Sequence, residues 1–143
     1  MHSLMRIRRI GLHYDIVLAV RKLRNFVGLF AGLMLVLSCG AHTIVGWDTM
    51  RSQLSKTNAG PELVQGLMVS WMFGGMAMLV MGAITVLIFG ARIRGQAVSM
   101  EPARVISVGY VVFALWVGLT HDFDPFFLIF LAPAVLVGIA SRD

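Results

Sequence analysis

Four long apolar stretches, at about 26–47, 63–91, 103–120 and 125–140, constrain this 143-residue chain more than anything else in it. Lipid offers no partner to backbone N–H and C=O groups, so a spanning segment must satisfy them within a helix. At 1.5 Å per residue, a hydrocarbon core of about 30 Å takes about 20 residues. The first stretch meets that length. The second exceeds it and should tilt or project, while the fourth, at about 16 residues, is short. The expected fold class is an all-α membrane protein with four transmembrane helices in an antiparallel bundle. Composition agrees, with 58% apolar and 13% charged residues, against roughly 45–50% and 25% in a soluble domain. The pieces outside the apolar stretches are too short to fold alone. The expected organisation is therefore a basic segment, 1–25, and a single transmembrane domain, 26–143.

Direction comes from the cations. With the N-terminus inside, the inner face holds Arg6, Arg8, Arg9, Arg21, Lys22, Arg24, Arg92, Arg94, Arg104 and Arg142, and the outer face holds Arg51 and Lys56. That asymmetry over short loops puts both termini in the cytoplasm. The loop-poor layout fits a bacterial cytoplasmic (inner) membrane. The net charge of +5 flanks apolar segments, which predicts attraction to anionic lipid at the N-terminal segment and no nucleic-acid groove.

Arg6, Arg8 and Arg9 ahead of Ile10–Val20 resemble the start of a signal peptide. However, His13, Tyr14 and Asp15 interrupt the apolar run, and Arg21, Lys22 and Arg24 stand where cleavage needs small residues. Cleavage is not expected. Ile16, Val20, Leu23 and Val27 fall at helical spacing, so 1–25 should form an amphipathic helix on the inner membrane surface.

Punctuation sets the remaining boundaries. Pro61 and Glu62 suit a helix start, and Asp124 followed by Pro125 suits another. His121–Asp124 is then a tight turn joining the last two spans. Pro133, in the middle of the fourth span, should free the carbonyl near Ile129 and kink the helix.

Small residues recur at every fourth position, at Gly28, Gly32 and Gly40 in the first span and at Gly66, Ser70, Gly74, Gly82 and Gly90 in the second. In lipid such ridges let backbones approach and gain dispersion contacts, and a four-residue repeat suits a right-handed crossing. Gly74→Leu should break assembly. Met68, Met72, Met76, Met78 and Met81 supply adaptable packing surface and are too dispersed for a copper site. Cys39, the only cysteine, reads as a small buried residue.

One ionisable residue lies well inside a span. His42 sits roughly 7 Å below the outer interface by helical rise, which makes it a candidate by default. Trp71 and Trp116 count to similar depth, with Ser38, Thr43, Gln65 and Ser70 as polar companions, enough for an outer-leaflet pocket for a lipophilic molecule such as a quinone, isoprenoid or sterol-like compound. The competing reading has the imidazole bonding a neighbouring helix. A haem or metal site would need His42 and His121 together, across a depth mismatch of about 7 Å. No cofactor is expected. The spans hold no Asp or Glu, and nucleophile elbows, zinc motifs and phosphate loops are absent from the sequence. The expectation is a non-catalytic accessory or oligomeric component acting through helix packing, with a homo-oligomer or a membrane protein as partner. The lipophilic-ligand protein and the haem or metal carrier are alternatives.

Overall fold

A computed structural model describes the backbone of residues 2–120 and 130–142, with side chains from residue 15 onward. Among these residues the chain is helical, without a strand. Helix α1 (His2–Gly40) passes directly into a π-helical turn (Ala41–Gly46) and α2 (Trp47–Leu54), followed by α3 (Pro61–Ile93), α4 (Glu101–Thr120) and α5 (Leu131–Ala140). Asp15–Leu54, Pro61–Ile93 and Glu101–Thr120 are long and apolar enough to cross a membrane, and α5 is a shorter apolar helix. The turn expected at His121–Asp124 and the helix start at Pro125 lie outside the described residues.

Two boundaries differ from expectation. The basic N-terminal segment is helical but continuous with the first span, with no break near residue 25. At the other end, the loop expected after Trp47 does not begin there, because Asp48–Leu54 continues as α2 and only a short link precedes Pro61. The helical run Asp15–Leu54 has 40 residues and α3 has 33, lengths of about 60 and 50 Å. Both outreach a hydrocarbon core of about 30 Å.

Local chemistry explains the ends. Gly60 is extended (φ −64°, ψ 151°) and Pro61 takes the first helical position of α3, where a missing N–H leaves nothing unpaired. The same helix stops at Gly95, whose φ of +79° is open to glycine. There Gln96 N–H donates to the Ala91 carbonyl (3.1 Å) and Gly95 N–H to that of Arg92 (3.0 Å), the pairing of a Schellman stop. Ser99 Oγ accepts the Glu101 N–H at 3.2 Å and caps α4. Pro133 falls in the first turn of α5 as described, and the carbonyl at Ile129 is outside the described residues.

Helix α1 is central. It lies along α3 and also packs on α5, which in turn packs on α4. Ala31, Phe89, Met100, Ala103, Val137 and Ala140 form one buried cluster, and Leu35, Ile106, Tyr110 and Ala134 a second. Arginines tie down the end of α5. Arg24 Nη1 donates to the Arg142 carbonyl at 2.8 Å and Arg104 Nε to that of Ser141 at 3.2 Å, placing cations where helix carbonyls run out of donors. At the opposite end, none of residues 41–74 is buried. Among the described residues the α1–α2 run lies against α3 there.

Candidate functional site

The contact between α1 and α3 is built on missing side chains. A Cβ on Gly28 would fall 2.5 Å from the Phe89 ring, one on Gly32 2.9 Å from the Val86 backbone nitrogen, and one on Gly82 2.8 Å from that of Val36. These pairs step in opposite directions along the two helices. Farther along, a Cβ on Gly75 would collide with Thr43 Cγ2, and one on Gly46 would lie 2.8 Å from Trp71 Cζ2.

The positions in contact follow a period different from the expected ridge. On α3 the seam reads Trp71, Gly75, Met78, Gly82, Thr85 and Phe89, alternating steps of four and three, with all but Trp71 buried. On the α1 side Gly28, Leu35 and His42 are seven apart, as are Gly75, Gly82 and Phe89 opposite. That repeat averages 3.5 residues per turn, and it includes Gly28 and Gly82 of the expected ridge, with Gly32 also in close contact. Gly40 and Gly66 face open space, Gly74 approaches only the His42 ring (3.3 Å), and Gly90 only Arg94 of its own helix (3.5 Å). Ser70 is exposed and bonds the Gly66 carbonyl behind it.

Where the seam reaches the π-helical turn, it changes chemistry. The rings of His42 and Trp71 stack with centroids 4.4 Å apart and planes 3° from parallel. Trp71 Nε1–H donates to the His42 carbonyl at 2.7 Å, and His42 Nε2 lies 3.2 Å from the Trp71 carbonyl. A carbonyl only accepts, so Nε2 carries the proton in this contact. Each residue thus bonds the other's backbone while their rings stack. Thr43 Oγ1 donates to the Cys39 carbonyl at 2.8 Å, which turns its methyl toward Gly75. Widened helical turns of this kind recur where a helix performs a local task, and here the turn presents both His42 faces of the contact: ring and carbonyl.

Of the residues expected to form a pocket, His42 and Trp71 are brought together, with Thr43 beside His42 on the same turn. Trp116 on α4 is 62% exposed, and its ring neighbour is Phe113 at 6.3 Å. Ser38 bonds the Met34 carbonyl of its own helix at 2.8 Å, and Gln65 is exposed. His121 lies outside the described residues, which contain no cluster of three or more His, Cys, Asp or Glu side chains fit to hold a metal. The sequence reading missed Gly46 and Gly75, which create the slot for Trp71 and Thr43. The seven-residue spacing of Gly75, Gly82 and Phe89 was the signal that would have found Gly75.

No protein-family model, curated protein or solved structure matches this chain.

Proposed function

We propose that this chain is a four-span integral membrane protein of a bacterial-type inner membrane, acting through helix packing as an accessory or oligomeric component. Both termini lie on the cytoplasmic side, where Arg21, Lys22, Arg24, Arg92, Arg94, Arg104 and Arg142 fall. The observation that carries the reading is the reciprocal bonding of His42 and Trp71. The best chemical group within the spans is spent on holding two helices together: its ring is covered on one side, and its Nε2 is engaged. Ser107 likewise joins two helices, donating to the Ala134 carbonyl at 2.7 Å, while Ser38, Thr43 and Thr85 donate at 2.8 Å to carbonyls one turn back in their own helices. Large exposed side chains such as Leu63, Val69, Phe73 and Met76 (58–75% exposed) line the N-terminal half of α3, which suits lipid, a second copy or a membrane partner.

Native mass spectrometry of the protein in mild detergent, beside His42→Gln, tests this. The expected result is the same oligomer or partner complex and the same bound masses in both. A haem, quinone or other small-molecule mass lost from the variant would sink the packing reading and favour a ligand site at His42.

A further inference from the structure

The Schellman stop of α3 and the Ser99 cap of α4 hold the connector between them in a fixed bend. An open cavity of about 370 Å³ lies in that bend. Its walls carry Arg21 from α1, Arg92 from α3 and Arg104 from α4, with Glu101 as the only carboxylate among the lining residues. Three arginines from three separate helices therefore line one concavity with a formal excess of two positive charges. Arg104 also bonds the end of α5. Among the described residues the side chains of Arg21 and Arg92 have neither a hydrogen-bond nor an ion-pair partner.

Like charges gathered this way repel one another, and an anion between them offsets that cost. The planar guanidinium fork matches the oxygens of a phosphate bidentately. Apolar surface adjoins the charge: Val98 lines the cavity, Ile93 ends α3 beside it, and Val105, one turn into α4, is 70% exposed. A ligand suited to both surfaces carries a phosphate and hydrocarbon chains. We propose that this cavity binds the phosphate headgroup of an acidic membrane phospholipid, with its chains lying along α3 and α4. The site rests on the membrane reading above, which brings the arginine-bearing end to the level of the headgroups. It places the lipid contact between helices, rather than along the N-terminal segment alone.

The test is native mass spectrometry of the full chain in mild detergent, titrated with phosphatidylglycerol or phosphatidylcholine, beside Arg21→Gln/Arg92→Gln. A charge-matched control, Arg51→Gln/Lys56→Gln, removes two cations from the opposite end. The wild type and the control should retain phosphatidylglycerol at least tenfold better than phosphatidylcholine, and the Arg21/Arg92 variant should lose that preference at unchanged oligomeric state. Equal retention of both lipids by the wild type, or an undiminished preference in the Arg21/Arg92 variant, would overturn the site. So would displacement of the lipid by millimolar inorganic phosphate, which would assign the arginines to a free anion. Lipid results leave the packing role of His42 untouched, whereas a wild type that stays monodisperse without detergent would overturn the membrane reading and the lipid site together.

Discussion

The two ends of the α1–α3 contact are joined by different means. At the arginine-bearing end, glycines set helix backbone against ring and backbone, and α4 and α5 complete a buried core around Phe89 and Leu35. At the far end, among the described residues, the α1–α2 run meets α3, and a stacked, doubly hydrogen-bonded His42–Trp71 pair holds them. The first end is specified by shape and the second by chemistry. Lipid tails are as apolar as leucine, so burying leucine between helices gains little there. Close approach and interhelical hydrogen bonds remain as the sources of association.

The sharpest way to break the comparison is Gly82→Leu. Its first carbon already falls 2.8 Å from the Val36 nitrogen, and backbone cannot step aside as a side chain can. We expect a loss of roughly 3 kcal/mol or more, seen as a collapsed folded fraction in a denaturant titration of the detergent-solubilised protein. A variant that unfolds like wild type would remove the seam. Ser107→Val ranks next. It deletes a donor to the Ala134 carbonyl at 2.7 Å and adds a methyl facing Gly138, for an expected cost of about 1–2 kcal/mol in the same titration. A smaller effect is expected at the far end. A double-mutant cycle of His42→Ala and Trp71→Ala should give a coupling of roughly 1 kcal/mol, and strictly additive losses would mean the two residues stabilise independently. Least of all, Gly40→Ala and Gly66→Ala should be neutral or raise stability by up to about 1 kcal/mol, since both face open space. Clear destabilisation by either, measured by thermal unfolding in detergent, would restore the every-fourth ridge.

Three helices fit to cross a membrane and the start of α3 were legible in the sequence, because length, apolar content and proline at a helix start are local properties. Which glycines touch another helix was not. A four-residue step turns about 40° beyond a full turn, so a ridge starting at Gly28 has rotated about 120° by Gly40 and leaves the neighbour. A seam that stays in contact over many turns must alternate threes and fours, and that alternation drops Gly40 and Gly66 while admitting Gly46 and Gly75. The partner of His42 was within reach, as Trp71 counted to the same depth. Trp116 counted to that depth too, but depth says nothing about direction around a helix. Whether a polar stretch after a span is loop or helix is equally hidden, since Asp48–Leu54 carries no breaker until the link before Pro61.

The widened turn at Ala41–Gly46 marks a place where this chain could gain or lose a residue. Elsewhere along α1, an insertion would swing every later residue about 100° around the axis and wreck the seam. A turn already holding one residue more than its neighbours can surrender it and close to ordinary helix, leaving the residues beyond Trp47 in their register. Length variation among descendants of this sequence should therefore collect at that turn, with His42 and Trp71 separating or staying together as the price of each change.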